Sequence, residues 1–155
     1  MRVMGIDPST KSGLVVLDSA DGLVTSKWLK FTEERGFHRL QLIAQSVKNA
    51  ILDHTPDVVF IEGYAFRNKH TLVTMVEVGT VIRVELHRAK LPWTEVTPKS
   101  LKLWAAGSGN ADKPAMAQAV EARWGFTSKS DDVIDAYALA QYGLAHSTIT
   151  TVGLN

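Results

Sequence analysis

Met1-Arg2-Val3-Met4-Gly5-Ile6-Asp7-Pro8-Ser9-Thr10 opens the chain, and how Asp7 is read decides the fold. An apolar run (Val3, Met4, Ile6) stops at a carboxylate, and Pro8 follows at once. Proline cannot continue a central ladder, so this pattern predicts a buried strand that delivers Asp7 to its C-terminal lip. An acid before proline also starts ordinary turns, and taken alone the stretch is better read that way. What separates the two readings is whether more carboxylate arrives beside it.

A second stretch of the same form lies at Val58-Val59-Phe60-Ile61-Glu62-Gly63, a continuous apolar run ending in an acid. Between the two, Gly13 to Asp18 reads as a strand, Ser19-Ala20-Asp21-Gly22 as a turn and Leu23 to Thr32 as a third strand. Short connections make these three an antiparallel meander. A helix follows from about Phe37 to about His54, with Leu40, Ile43, Val47, Ala50 and Ile51 on one face. A helix before the Val58 run implies a crossover to a parallel partner. If that partner is the first strand, Asp7 and Glu62 lie side by side at the carboxyl edge of the sheet, where α/β sheets collect their ligands.

Beyond Glu62, residues Thr71 to about Ala89 read as a helix, in which Gly79 suggests close approach of another backbone. Leu91 to Val96 is a fifth strand, Pro98 to Trp104 a helical piece, and Gly107-Ser108-Gly109-Asn110 a loop. Lys113-Pro114 opens a helix to about Trp124. The last helix runs from Ser130-Asp131-Asp132 to about His146. Acids in its first turn complement the helix dipole and need no chemistry to explain them. Asp135 sits deeper, between Ile134 and Ala136, and shares a face with Asp132. A carboxylate on so apolar a helix needs a partner, and a cation is a good candidate.

Asp7, Glu62, Asp132 and Asp135 thus come from two strand ends and one helix. An all-oxygen set selects Mg²⁺ or Mn²⁺ over zinc. Two such ions, roughly 4 Å apart, activate water and stabilise the leaving oxygen in phosphodiester hydrolysis. The charge distribution suits that chemistry. Residues 67–113 carry eight bases and four acids, or +4, which leaves −3 on the rest of a chain whose net charge is +1. A basic stretch beside a carboxylate site suits a polyanion, although an ordinary solvated surface looks the same. With 155 residues, 45% of them hydrophobic, one domain over 1–155 is expected. The absence of cysteine excludes disulfides, zinc-thiolate sites and cysteine nucleophiles. No signal peptide or membrane span is expected, and a cytoplasmic location is the default.

Gly5-Ile6-Asp7-Pro8, Ile61-Glu62 and Asp132-Val133-Ile134-Asp135-Ala136 together resemble the motif set of RuvC-type Holliday junction resolvases, of the ribonuclease H-like/integrase superfamily. The resemblance runs over nearly the whole chain and takes in the Gly107–Lys113 loop. It implies an α/β fold with a five-stranded mixed sheet, three antiparallel strands then two parallel, and helices on both faces. It implies metal ligation by Asp7, Glu62, Asp132 and Asp135, with basic Lys102 and Lys113 near the scissile phosphate. It also implies an aromatic acting on DNA after the second acidic strand. Spacing puts Ala65 there, so Tyr64 or Phe66 takes the stacking role or belongs to the core and surface. Arg67, Lys69, Arg83 and Arg88 are candidates for DNA-backbone contacts only. Ser9 stands where the family commonly has glycine, and Asp131 adds an acid.

The function implied is a Mg²⁺-dependent endodeoxyribonuclease that resolves Holliday junctions by paired nicks. A homodimer would place two equal sites on a two-fold junction, with Met75, Val76 and Gly79 as a candidate dimer face or, equally, a core stripe. Three other readings stay open. One is a relaxed debranching nuclease acting on forks and flaps. Another is a non-catalytic branched-DNA-binding protein. The third is a fragment of an actin/Hsp70-like ATPase, since Gly5–Gly13 also looks like a phosphate loop. Such ATPases need two domains around a nucleotide, and Gly107-Ser108-Gly109 does not continue as a P-loop.

Overall fold

The computed structural model describes residues 1–65 and 69–147, without the side chains of 69 and 70. Phe66, Arg67 and the Lys69 side chain, three of the expected DNA contacts, lie outside the described residues. β1 (Arg2–Asp7), β2 (Lys11–Asp18) and β3 (Gly22–Lys30) form the antiparallel meander. α1 (Gly36–His54) crosses to β4 (Val58–Glu62), and α2 (Lys69–Arg88) crosses to β5 (Trp93–Val96). α3 (Pro98–Ala106), α4 (Lys113–Trp124) and α5 (Asp131–His146) complete the chain. The strand order is β3-β2-β1-β4-β5, with β4 parallel to β1 and β5 parallel to β4.

Several boundaries move for local reasons. β2 begins at Lys11 because the turn from β1 is only Pro8-Ser9-Thr10. That turn is tied by the buried Ser12 hydroxyl, which donates to the Ser9 carbonyl (2.6 Å) and accepts from the Ser9 N–H (3.0 Å). β3 stops at Lys30, and β5 starts at Trp93. Pro92 has no N–H to give a ladder, although its carbonyl accepts from Val59 N–H at 3.0 Å. α3 runs on to Ala106, where Gly107 at φ 79° supplies the left-handed cap.

Strand alternation sorts the two cores. Met4, Ile6, Leu14, Val16, Val59 and Ile61 pack with Ile43, Val47 and Ala50 of α1 and Val78, Ile82 and Leu86 of α2. Val3, Val15, Leu17 and Phe60 pack with α3, α4 and α5 on the opposite face. Asp7 shares the parity of Val3, and Glu62 that of Phe60, so both carboxylates belong to the α5 side. The pairing of Ile6 with Ile61 sets them side by side, one residue further along.

α5 lies directly on the sheet because β1 and β2 present glycine beneath it. A Cβ on Gly5 would stand 2.6 Å from the Ala140 backbone nitrogen, and one on Gly13 2.7 Å from that of Val133. Gly143 of α5 in turn leaves room for Val3 and Phe60. Gly79, expected to admit another backbone, instead admits a side chain: the Tyr64 ring lies against it. Gly79 is therefore covered, while Val76 beside it is exposed.

Candidate active site

Asp7 is delivered by the last residue of β1, Glu62 by the last residue of β4, and Asp132 and Asp135 by the first turns of α5. Ser130 starts that helix as its N-cap, its hydroxyl accepting from the Val133 N–H at 3.3 Å. Because α5 rests on Gly5 and Gly13, its first turns fall over the β1 and β2 strand ends. Asp7, Glu62 and Asp135 each bring a carboxylate oxygen within 4.8 Å of the others. Asp132 stands beside Asp7, and the two carboxyls interact directly.

The electrostatics are those of acids crowded together. Asp7 is only 7% exposed, and burial pushes its carboxyl well above the usual range; Glu62, Asp135 and Asp132 push it further. Burial also raises Asp132, although hydrogen bonds from Asp7 and Ser9 and the charge of Lys113 oppose the shift. Asp135 is pushed up to about 6 by burial, with Lys102 opposing. A cation among these oxygens would remove the repulsion and favour the ionised forms. Four carboxylates from two strand ends and one helix, with no softer donor among them, fit a hard divalent ion.

Two lysines border the cluster. Lys102 of α3 acts on Asp135 through its charge, and Lys113, the first residue of α4, sets its Nζ 3.0 Å from Asp131 Oδ2. Lys102, Lys113, Met116, Asp131, Ile134 and Asp135 line a cleft of about 90 Å³ between α3, α4 and α5. The larger cavity, about 670 Å³, lies between α1 and α2, away from the carboxylates.

Tyr64 is not a free wedge. The Arg83 guanidinium lies 4.7 Å above its ring, and Arg83 Nη1 donates to its hydroxyl at 3.3 Å. Arg83 also pairs with Glu95 of β5 at 2.8 Å and donates to the Gly79 carbonyl. Arg88 pairs with Glu85 on its own helix. Arg83 is thus engaged and largely buried, whereas the Arg88 side chain is 71% exposed and open to solvent; Ala65 is the exposed residue after Tyr64. Residue reading missed Ser9, which accepts from the Lys11 N–H and hydrogen-bonds Asp132. The glycine seats of α5 were also missed. Ser9 had a signal, its replacement of the expected glycine; the seats needed the sheet register.

Three antiparallel and two parallel strands, with carboxylates at two strand ends and on the helix laid over them, define a ribonuclease H-like nuclease fold. Solved structures share it. Thermus thermophilus RuvC matches with a TM-score of 0.76 at 24% identity, over 90% of this chain and 91% of that one. The same protein in complex with a Holliday junction substrate gives the same TM-score. The yeast mitochondrial Holliday junction resolvase matches at 0.58 and 16% identity, over 89% and 75% of the two chains.

The family model for crossover junction endodeoxyribonuclease RuvC matches residues 3–143. Proteins of that name from Prochlorococcus marinus (strain NATL1A) and Gloeobacter violaceus are 30% and 31% identical, over 93% and 94% of this chain and 98% and 89% of theirs. The chain belongs to the crossover junction endodeoxyribonuclease RuvC family. These are metal-dependent nucleases, and the acidic cluster is what such an activity requires.

Proposed function

We propose that this protein is a Mg²⁺-dependent endonuclease that resolves Holliday junctions by paired nicks, with Mn²⁺ able to replace Mg²⁺. The convergence of Asp7, Glu62 and Asp135 carboxylates within 4.8 Å carries the reading, and Asp132 completes the ligand set. Two ions held there would activate the attacking water and stabilise the leaving oxygen. The chain's own part is to fix the ligands and place the phosphate. β1 and β4 hold Asp7 and Glu62 on one edge, α5 adds its two acids, and Ser9 orients Asp132. Lys113 and Lys102 bind the scissile phosphate and offset its charge. Asp7, Glu62, Asp132, Asp135 and Lys113 are the catalytic set.

Tyr64, Phe66, Arg67 and Lys69 follow Glu62 and are assigned to the junction centre, with Phe66 favoured for stacking because Tyr64 is clamped by Arg83. Residues 1–155 act as one nuclease domain, and two copies place matched sites on the two strands to be cut. The protein works inside the cell, on DNA; among the described residues no helix is long and apolar enough to cross a membrane. One observation favours a relaxed debranching nuclease: the clamped Tyr64 beside exposed Ala65 presents less aromatic surface to a junction than a free ring there would.

The test is Asp7→Asn. Cleavage of a four-way junction should fall at least about 100-fold while junction binding is retained. Unchanged cleavage removes the metal-site assignment.

A further inference from the structure

Asp131 is an acid beside the cluster that is not needed in the ligand set, and its position is specific. It is the first residue of α5, and Lys113 is the first residue of α4. Their side chains meet at 3.0 Å across the small cleft that also holds Lys102 and Asp135. Both are solvated, with side-chain exposures of 78% for Lys113 and 49% for Asp131. An ion pair this exposed contributes little to stability, so it exchanges partners readily. Lysine is a mobile point charge on a flexible stem, and without a counter-ion its ammonium would sample many positions.

We infer that Asp131 is a positioning residue that holds the Lys113 ammonium at the mouth of the site until a DNA phosphate displaces it. This rests on Lys113 contacting phosphate, as proposed above. When the four cluster acids are engaged by cations, Asp131 remains as the acid paired with Lys113. A phosphate entering the cleft takes the ammonium from a carboxylate already 3.0 Å away, which makes binding an exchange of ion pairs. After the cut, Asp131 recaptures Lys113 and favours release of the product. The device sets affinity and turnover and leaves the metal ligands untouched.

The experiment measures binding of a labelled four-way DNA junction, with Ca²⁺ in place of Mg²⁺, across a salt series. Wild type, Asp131→Asn, Asp131→Glu, Lys113→Ala and the Asp131→Asn/Lys113→Ala double variant are compared, with Mg²⁺ single- and multiple-turnover cleavage alongside. Asp131→Asn should bind several-fold tighter, and its log Kd against log salt should steepen by up to about one, the share of one freed phosphate contact. Its multiple-turnover rate should fall relative to its single-turnover rate. Asp131→Glu should restore wild-type behaviour, and in the Lys113→Ala background the asparagine should have little effect. Asp131→Asn matching wild type in affinity and salt slope overturns the inference. So does an equal gain in the Lys113→Ala background, which would show plain repulsion of DNA by Asp131. If Lys113→Ala cleaves and binds as wild type does, the assignment of Lys113 itself fails, a result distinct from either.

Discussion

Asp135 shows what the site costs at the scale of one residue. Its carboxyl is raised from 3.8 to about 6, chiefly by burial, and Asp7 and Asp132 are raised beside it. Because these acids bind protons more tightly folded than unfolded, the metal-free protein loses stability as pH rises from about 4 through about 6. Asp135→Asn removes one of the crowded charges. In EDTA at about pH 8 its melting temperature should exceed that of wild type by a few degrees, and at about pH 4 the difference should vanish. Excess Mg²⁺ should raise the wild type more than the variant. A variant that melts below wild type at the higher pH would mean that Asp135 is satisfied without a cation. Asp7, Glu62 and Asp135 were readable as residues because each interrupts apolar sequence. The part played by Ser9 was not, since its hydrogen bond to Asp132 spans most of the chain.

At the scale of elements, the site depends on how closely α5 lies on β1 and β2. Gly5 faces the α5 backbone at Ala136 and Ala140, and Gly13 faces it at Asp132 and Val133. Gly5→Ala would force the helix outward, because backbone cannot turn aside as a side chain can. The expected cost is about 3 kcal/mol or more, with cleavage falling further than the loss of folded protein explains. Chemical denaturation and single-turnover cleavage under conditions where the variant is folded would measure both. An alanine variant with wild-type stability and activity would refute the seat. The sequence predicted the helices and strands well because their periodicities are local. It misread Gly79 because helical spacing shows that a glycine has a neighbour and cannot say whether that neighbour is backbone or the Tyr64 ring. Tyr64 was equally ambiguous, since its packing partner Arg83 is nineteen residues away.

For the whole molecule, the topology turns one-dimensional signals into a site. Two apolar runs ending in acids became neighbouring strand ends because α1 makes a crossover and β4 pairs with β1 in parallel. Strand parity then put both acids on the face that α5 covers. The pairing of the two strand ends could be argued from residues 1–10 and 58–63, whereas the face that α5 covers needed the sheet register. The clamp that ties Tyr64 to α2 and β5, and the pairing of Lys113 with Asp131, required three-dimensional proximity between elements that carry no shared motif. Fold and site together make a metal-dependent nuclease selective for branched DNA. The most direct measurement is cleavage of labelled four-way, forked, flap and linear duplex DNA of matched sequence, with Mg²⁺, Mn²⁺ or EDTA. The prediction is paired nicks in opposite strands of the four-way junction with either ion, no cleavage in EDTA, and little cutting of linear duplex. Cleavage that persists in EDTA, or linear duplex cut as fast as the junction, would contradict it.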